Sequence, residues 1–472
     1  MTQPHDLTAL EQAAAIRDRV LSPVELVEHY LDRIEAHNET VGAFITVTAE
    51  SAREQARVAE RLVTEGADVP PLHGVPTAIK DLNLTAGVRT TFGSALLADF
   101  VPDLDDHVVT KLRAAGTISL GKTNVPEFGF PCYTQPVIAP PARTPWDLDR
   151  LAAGSSGGAG AAVASGLVPF AQGSDGGGSI RSPSAVCGLF GIKTSRGRVS
   201  SGPLGWNVTG LGVLGPMART VRDAAAMLDA MAGPMPGDPY WAAPLPVGET
   251  FLGHAEREPG RLRIGRYVDP VIPGAVVDPA VRHAWEDTSA LLESLGHEVE
   301  DIAAPLTAEL IPHFEVVWSM SATALPIDPT RVGELEPLTR WLRERGMAAT
   351  AQQVMIALGT LQQHSRVAVV ATSAYDVLLA PVCTLPPRPV DWFFADGLGA
   401  PDFERQKQFS AYTAVFNMTG QPAVSIPVQW TDDGLPLGMM LVGRPADEAT
   451  LISLSAQLEA AAPWAHRRPA LW

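Results

Sequence analysis

Short apolar segments alternate with glycine turns and helix-like segments from about Pro71 onwards, and this alternation restricts the fold more than any other feature. It is seen in the order TAIKD, DHVVTKLRAAG and TISLGKTN, and again in RLRIGRYV and VRHAWEDTSALLESLGHEVEDI. Strands that alternate with helices build sheets that are covered by helices on both faces. The sequence therefore predicts an α/β protein with a mostly parallel β-sheet between helices.

The sequence predicts a single domain over residues 1–472. Residues 1–67 are predicted to be N-terminal helices, one of which has Ser22 as N-cap, Pro23 at its first position and Glu25 as capping-box partner. Residues 71–231 are predicted to form the core that carries the motifs. A helical pattern at about 306–345 is predicted to be an insertion that covers the site. Late strand-like segments, such as QPAVSIPVQW and LGMMLVG, need the same sheet as their partner.

Composition and charge exclude several classes of protein. Hydrophobic residues make up 46% of the chain and charged residues 18%, so it is not disordered, and no apolar run is long enough to cross a bilayer. The N-terminus has no apolar block of a signal peptide, so a cytoplasmic location is expected. A net charge of −17 disfavours nucleic acid as a partner. The three cysteines and scattered histidines have no metal-ligand spacing, so no metal or cofactor is expected.

Two short motifs match known patterns in the wrong context. GTISLGKT, residues 116–123, fits the phosphate-binding loop, but a helix precedes it and apolar Ile118 and Leu120 fill it, so we interpret it as a strand after a glycine C-cap. Ser156 in GSSGG fits the nucleophile elbow of α/β-hydrolases. That elbow needs a late histidine, and His364 and His466 lie in helix-like or terminal polar segments.

The stretch from Gly154 to Ser200 is unusually rich in small residues, and it contains GSSGGAGAA and GSDGGGSIRSP. One interpretation is a structural turn between tightly packed helices. The alternative is that three glycines leading into Ser179, at a predicted helix start, aim several amides at one point. An oxyanion hole requires such an arrangement.

These elements together resemble the amidase signature family of serine hydrolases. The resemblance rests on AGSSGG, GSDGGGSIRSP and CGLFGIKTSRGRVS in this order, on the lysine element GVPTAIKD, and on further similarity through GKTNVPEFG and the C-terminal FNMTGQPAVSIPVQW. It implies the amidase signature fold, a large twisted mixed, mostly parallel sheet sandwiched between helices.

The resemblance also implies a catalytic triad of Lys80, Ser155 and Ser179. Ser179 would be the nucleophile, Ser155 the bridging serine after a cis peptide bond, and Lys80 the general base. A lysine with its ordinary pKa of about 10.4 acts as a base only if burial lowers that pKa. The strand-like TAI before Lys80 fits such burial.

The amides of four successive residues would form the oxyanion hole: Gly176, Gly177, Gly178 and Ser179. Asp175 and Arg181 are predicted to form an ion pair beneath this loop. The chain departs from the family's common form at Ala152, Ala153, Thr144 and Gly176, of which the last replaces threonine. Loss of that side chain is expected to widen the acyl side of the pocket or to loosen the loop.

Gly129 and Phe130 stand where similar fatty acid amide hydrolases line their acyl channel, so both are candidates for substrate binding. A core-filling role for Phe130 is the alternative. With Phe128 and Trp206, the segment indicates a pocket for apolar or aryl groups.

The resemblance therefore implies a hydrolase that cleaves carboxylic amide bonds of small molecules through an acyl-enzyme on Ser179 and releases amine or ammonia. Esters and carbamates, the urethanase reaction, form the same tetrahedral oxyanion and stay open. The alternatives are the glutaminase (A) subunit of a tRNA-dependent amidotransferase and an inactive amidase fold that only binds. We expect a small-molecule amide as partner, no nucleic acid and no membrane, and a monomer or homodimer.

Overall fold

The fold is built around one large sheet. The computed structural model describes residues 3–205 and 207–472. Within these residues eleven strands are hydrogen-bonded in the order β1-β3-β2-β4-β6-β5-β10-β11-β9-β7-β8. The strands are β1 (Phe44–Val47), β2 (Pro76–Lys80), β3 (Ile118–Thr123), β4 (Phe170–Asp175), β5 (Phe190–Lys193), β6 (Val213–Ala218), β7 (Arg263–Arg266), β8 (Glu298–Asp301), β9 (Val377–Pro381), β10 (Ala423–Trp430) and β11 (Pro436–Gly443).

The sheet is mixed, as the resemblance implies, but it is not mostly parallel. The parallel pairs are β2 with β3 and β4 near one edge, and β7 with β8 and β9 at the other. The central pairs β4–β6, β6–β5, β5–β10, β10–β11 and β11–β9 are antiparallel, as is β1–β3. The prediction was wrong here because consecutive strands such as β10 and β11 are joined by a tight turn, which forces an antiparallel pair.

Helices cover both faces of this sheet. They are α1 (Ala9–Arg17), α2 (Pro23–Val41), α3 (Ala49–Thr64), α4 (His107–Ala114), α5 (Gly157–Ala164), α6 (Arg181–Cys187), α7 (Val221–Met231), α8 (Phe251–His254), α9 (Pro279–Ser294), α10 (Ile311–Thr323), α11 (Pro337–Ala348), α12 (Ala351–Ala371), α13 (Ala400–Phe409), α14 (Val415–Thr419) and α15 (Glu448–Ala461). Short 3-10 helices occur between them.

Strand β11 shows how the two faces divide the core. Met440 and Val442 pack into a core with residues of α2, α5 and α6, whereas Met439 and Leu441 pack into a second core with residues of α4, α7, α9 and α15. Successive side chains of a strand point to opposite faces, so a strand covered on both sides is apolar throughout. The predicted sandwich of a sheet between helices is confirmed.

The N-terminal segment 1–67 holds helices α1, α2 and α3 and also strand β1, which the sequence analysis missed. Helix α2 begins as predicted, with Pro23 at its first position and the Ser22 hydroxyl accepting from the amides of Val24 and Glu25 at 3.0 and 3.3 Å. The reciprocal bond, in which the Ser22 amide would donate to the Glu25 carboxylate, is not formed, and the Ser22 hydroxyl donates to Glu60 at 2.5 Å. Strand β1 was missed because it is only four residues long.

The segment 306–345 contains α10 and most of α11, and α12 follows it directly. Phe314 and Trp318 of α10 face the cavity described below, and α11 packs against α10 and α13 through Leu338 and Leu342. In the ranges 3–205 and 207–472, none of the helices combines the length and the apolar character that a membrane span needs.

Candidate active site

Two parallel strands bring the predicted lysine and the serine loops together. Lys80 is the last residue of β2, and Asp175 is the last residue of the neighbouring β4, so both lie at the carboxyl edge of the sheet. Ser155 lies just before α5, and Ser179 lies in the turn between β4 and α6. The carboxyl ends of parallel strands are where open α/β sheets place their ligands.

Lys80 is fully buried and is held by three oxygen atoms. Its Nζ lies 2.8 Å from Ser155 Oγ, 2.8 Å from Ser156 Oγ and 3.3 Å from the carbonyl oxygen of Ser174. The Ser156 hydroxyl lies 3.1 Å from the same carbonyl, so it donates there and accepts from Lys80. A neutral lysine can give its two N–H groups to Ser156 and Ser174, which leaves its lone pair to accept the proton of Ser155.

Burial lowers the pKa of Lys80 to about 7, and the nearby Asp175 carboxylate opposes this effect only in part. A charged ammonium group loses its hydration in the interior, so the neutral amine is favoured there. Near neutral pH a large fraction of Lys80 is therefore in the form that can act as a base.

Glycine at position 154 is required by close packing. The Gly154–Ser155 peptide bond is cis, as the resemblance implies. A Cβ at Gly154 would lie 2.6 Å from the backbone of Tyr133. Gly129 lies on the other side of Ser155, where a Cβ would be 3.3 Å from Ser155 Oγ and 2.5 Å from Leu82. Any side chain at Gly154 or Gly129 would therefore displace the backbone or the side chain of the predicted bridging serine.

The Asp175 carboxylate organises the turn that carries Ser179. Its Oδ1 accepts from the amide of Gly178 at 2.8 Å. Of the four amides predicted for the oxyanion hole, that of Gly178 is thus already used, so the structure does not leave it free for an oxyanion. Within the described residues, the amides of Gly176, Gly177 and Ser179 have no protein acceptor, and they remain the available donors.

The predicted ion pair beneath the loop is confirmed. Arg181 Nη2 lies 2.8 Å from Asp175 Oδ1, and both side chains are fully buried. Asn417 completes the group: its Nδ2 donates to Asp175 Oδ1 at 3.0 Å, and its Oδ1 accepts from Arg181 at 2.7 Å. Burial alone would raise the pKa of Asp175, but the Arg181 guanidinium holds it well below its usual range.

A cavity opens beside Ser179. One end is formed by Gly154 and by Gly177, Gly178 and Ser179 of the loop after β4. The remaining walls are largely apolar. The large apolar side chains around it are Phe130, Val271, Ile272, Leu306, Leu310, Ile311, Phe314, Trp318, Phe403, Val415 and Met418. A concave apolar site with a few polar groups at one end is typical of small-molecule binding.

Trp318 lies next to Gly176 and Gly177, two residues of the predicted oxyanion hole. A Cβ at Gly176 would be 3.4 Å from the Trp318 ring, and one at Gly177 would be 3.9 Å from it. The same ring stacks on Phe314 with centroids 5.6 Å apart and meets Phe130 edge-on at 5.9 Å. The first side-chain atom at position 176 would thus be in ordinary van der Waals contact with the Trp318 ring, and the effect of Gly176 on the width of the pocket or on the loop stays a prediction.

The two candidates for substrate binding have different surroundings. Phe130 lines the cavity, whereas Gly129 lies against Ser155 behind the cavity wall. Phe128 packs against Phe92, with centroids 6.4 Å apart, rather than into the cavity. Trp206, the fourth residue of that prediction, lies outside the described residues.

The predicted relay is only partly formed in this structure. Lys80 is hydrogen-bonded to Ser155, but within residues 3–205 and 207–472 no hydrogen bond joins the hydroxyls of Ser155 and Ser179. Catalytic hydrogen bonds are often long until a substrate is bound. The same described ranges contain no group of three or more His, Cys, Asp or Glu side chains that could hold a metal ion.

Sequence reasoning missed three residues of the site. Ser156 was considered only as an elbow serine, yet it shares Lys80 with Ser155. Asn417 lies in the FNMTG segment, whose similarity to the family was noted but not interpreted. Trp318 lies in a helix with no motif of its own, and the only signal for it was the unusual Gly176.

The family model described as Amidase matches residues 25–452. A 6-aminohexanoate-cyclic-dimer hydrolase of Paenarthrobacter ureafaciens is 34% identical over 98% of this chain and 96% of its own. An acylamidase of Rhodococcus erythropolis is 33% identical over 99% of this chain and 98% of its own. One subunit of the glutamyl-tRNA(Gln) amidotransferase from Carboxydothermus hydrogenoformans is 33% identical over 98% of this chain and 99% of its own.

Solved structures are similar over the whole length. That of 6-aminohexanoate cyclic dimer hydrolase with its substrate superposes with a TM-score of 0.91 at 30% identity and covers 99% of each chain. A bacterial aryl acylamidase of the amidase signature family superposes with a TM-score of 0.86 at 28% identity and covers 97% of this chain and 96% of its own.

Proposed function

This chain belongs to the amidase signature family of amide hydrolases, and we propose that it cleaves the amide bonds of small molecules that carry apolar or aryl groups. The observation that carries the proposal is the contact of 2.8 Å between the buried Nζ of Lys80 and the hydroxyl of Ser155, beside the loop of Ser179. Amide cleavage by a serine needs a general base that takes the hydroxyl proton. A neutral lysine amine in contact with a serine hydroxyl can act as that base.

In the proposed reaction, neutral Lys80 takes the proton of Ser155 while Ser155 takes that of Ser179. The Ser179 oxygen attacks the amide carbonyl, and the amides of Gly176, Gly177 and Ser179 hold the oxyanion. The proton then returns through Ser155 to the leaving nitrogen, the C–N bond breaks, and the acyl group stays on Ser179. Water repeats the sequence, releases the acid and restores the serine.

The preference for apolar or aryl groups is supported by the cavity wall. Trp318 stacks on Phe314 and meets Phe130 edge-on, directly over the loop that would hold the oxyanion. A flat ring bound at the reacting carbonyl would find an aromatic surface there. Names of similar proteins, an acylamidase and an aryl acylamidase among them, agree with this preference.

Esters and carbamates form the same tetrahedral oxyanion, so the proposal includes them as further substrates, carbamates being the urethanase case. The glutaminase subunit is the second candidate, because one subunit of a glutamyl-tRNA(Gln) amidotransferase is 33% identical to this chain. The cavity disfavours it. Free glutamine carries an ammonium and a carboxylate, and among the described lining residues only Lys407 is charged.

A panel of matched aryl amides, esters and carbamates, together with glutamine, tests the proposal in the wild type and in Ser179→Ala. We expect the single chain to hydrolyse the aryl amide, and the variant to lose all amide, ester and carbamate turnover. Ser455→Ala, a buried serine of α15 far from the cavity in the chain order, serves as the matched control. Amide turnover that survives in Ser179→Ala would refute the mechanism, and hydrolysis of glutamine alone would favour the glutaminase subunit.

A further inference from the structure

One wall of the cavity differs from the others because it is polar. Helix α13 and its C-cap turn four side chains toward the cavity: Phe403, Gln406, Lys407 and Ser410. They stand at the spacing that places helical residues on one face. Among the described lining residues, Lys407 is the only one that carries a charge. The adjoining wall, from α10, is aromatic and carries Phe314 and Trp318.

The C-terminal end of this face lies near the loop of residues 176–179, which would hold the oxyanion. Ser410 Oγ lies 3.3 Å from Ser182 Oγ and 3.2 Å from Thr413 Oγ1, and Thr413 donates to the carbonyl of Gly177 at 2.5 Å. A helix rises 1.5 Å per residue, so Lys407 lies roughly 4.5 Å from Ser410 along the axis of α13. Lys407 is thus placed to reach a part of the substrate that lies beyond the scissile bond.

Lys407 has one donor left for a ligand. Its Nζ lies 2.6 Å from Glu315 Oε1 of α10 and 2.7 Å from Glu404 Oε1 on its own helix. An ammonium group has three N–H donors and these carboxylates use two of them, so one is left for a ligand in the cavity that Lys407 lines. Glu404 is 62% exposed, which makes it a weak partner that solvent can replace.

The charges around Lys407 balance, and this decides the kind of group it would bind. Glu315 also pairs with Arg345 at 2.7 Å, so Lys407 and Arg345 face Glu315 and Glu404 with no net charge. The whole chain has a net charge of −17. Such surroundings offer a free carboxylate little attraction, whereas a neutral carbonyl oxygen can still accept the third N–H.

We propose that Lys407 and the α13 wall form a subsite for a second, neutral carbonyl group of the substrate, beyond the bond that is cleaved. This inference rests on the proposed amide hydrolysis and adds the substrate class: an apolar or aryl amide that carries a further ketone or amide carbonyl. Phe314 and Trp318 cover the apolar body of the substrate, and Lys407 holds its distal oxygen.

Two pairs of substrates isolate the distal carbonyl. N-(4-acetylphenyl)acetamide is compared with N-(4-isopropenylphenyl)acetamide, and 4-acetylbenzamide with 4-isopropenylbenzamide. The members of each pair have nearly the same planar shape, and only the acetyl member has the acceptor oxygen. The first pair carries the group on the amine side of the scissile bond and the second on the acyl side.

Wild type and Lys407→Met are compared on all four amides. In one of the two pairs, we expect the substitution to raise KM for the acetyl member roughly ten-fold, with KM for the isopropenyl member unchanged within a factor of two. The methionine keeps the bulk of the stem, and Glu315 keeps Arg345 as its partner. Glu404→Gln is the control, since it removes the exposed partner but leaves Lys407 in place, and it should behave like the wild type.

The outcomes distinguish a failure of the proposed subsite from a failure of the proposed amide hydrolysis. If Lys407 only tethers α13 to α10, KM or kcat will change alike for both members of each pair, and the subsite is refuted. Unchanged constants for all four amides would refute it as well. If the wild type cleaves none of the four amides while Ser179 is intact, the proposed function itself fails.

Discussion

The Nζ of Lys80 lies within hydrogen-bond distance of two hydroxyl groups and one carbonyl oxygen. The nearby carboxylate of Asp175 is already paired with Arg181. This is why the pKa of Lys80 falls to about 7 although an acidic residue is near. The motif GVPTAIKD identified the residue, and the burial of the strand before it was predicted. The second hydroxyl partner of Lys80, Ser156, could not be predicted, because the sequence of two adjacent serines does not indicate which way each side chain points.

The pH dependence of kcat/KM should follow the ionisation of Lys80. The base works when neutral, so kcat/KM should rise about ten-fold per pH unit below pH 7 and level off above it, with an inflection near the pKa of about 7. The measurement is a pH–rate profile for a neutral aryl amide from pH 5 to 9.

Glu336 provides the control, because burial raises the pKa of its carboxyl group to about 7 as well. The profile of Glu336→Gln should keep the same inflection. A flat profile across this range, or an inflection that disappears in Glu336→Gln, would show that Lys80 is not the titrating base.

Gly176 and Trp318 should act as one unit in substrate selection. The Cβ of a threonine at 176 would be in van der Waals contact with the Trp318 ring, at 3.4 Å, and Trp318→Leu would remove that ring. Both variants should lower kcat/KM for an aryl amide about ten-fold and spare a short aliphatic amide.

Because both changes disturb the same aromatic surface, their combination should cost little more than either one alone. The measurement is a double-mutant cycle of kcat/KM on the aryl amide. An unchanged substrate range in Gly176→Thr, or fully additive effects, would contradict a shared role.

The strands and helices show which signals in a sequence are reliable. Helix α2 begins at Pro23 and ends before Gly42, which has φ +59, because local chemistry fixes both ends. The order and direction of the strands depend on contacts between distant segments, and the six antiparallel pairs had no local signal apart from the short turn between β10 and β11. Of the helices that line the cavity, α10 lies in the segment 306–345 that was predicted to cover the site, whereas α13 carries no motif and its contribution was not predicted.

The turn between β4 and α6 should depend on its buried ion pair. Asp175→Asn removes the negative charge and leaves the Arg181 guanidinium uncompensated in the interior. We expect a loss of about 3–5 kcal/mol in the free energy of unfolding, measured by urea denaturation at pH 7.

The surface pair Arg331–Glu334, in which both side chains are nearly half exposed, supplies the comparison. Glu334→Gln should leave the free energy of unfolding close to that of the wild type. Equal stabilities of the two variants would mean that Asp175 does not organise the turn.

The two ends of the chain meet on one side of the molecule. Trp472 Nε1 donates to Asp6 at 2.9 Å, and the neighbouring His5 and His29 are stacked with their nitrogens 2.8 Å apart. Burial lowers the pKa of His5 to about 4, and the positive charge of Arg33 acts in the same direction. Protonation in the folded state is therefore unfavourable for this pair.

The stability that neutral His5 provides should be present above pH 6.5, the value of an unperturbed histidine, and should be lost as the pH falls from 6.5 to about 4. In this window the unfolded chain binds the proton more readily than the folded one. We expect the difference in free energy of unfolding between the wild type and His5→Asn to shrink steadily across it, as measured by urea denaturation.

The matched control is the same substitution at an exposed histidine, His283→Asn. A wild-type advantage over His5→Asn that stays constant from pH 7 to pH 4 would contradict the interpretation.

At the scale of the whole molecule, the site is an assembly of segments far apart in the chain. The motifs indicated Lys80, Ser155 and Ser179, because each lies in an element that resembles the family: GVPTAIKD, AGSSGG and GSDGGGSIRSP. The cavity is formed by segments between Phe130 and Met418, and its shape depends on how α10 and α13 pack over the sheet. Hydrophobic pattern predicts that such helices exist but not which face covers the nucleophile.

The central claim is that Ser179 carries the acyl group, and covalent trapping tests it most directly. The wild type, Ser179→Ala and Ser455→Ala are treated with an aryl fluorophosphonate, and the labelled residue is located by mass spectrometry of proteolytic fragments. We predict one adduct per chain, on Ser179, in the wild type and in Ser455→Ala, and none in Ser179→Ala. An adduct on another residue, or a fully labelled Ser179→Ala variant, would contradict the account.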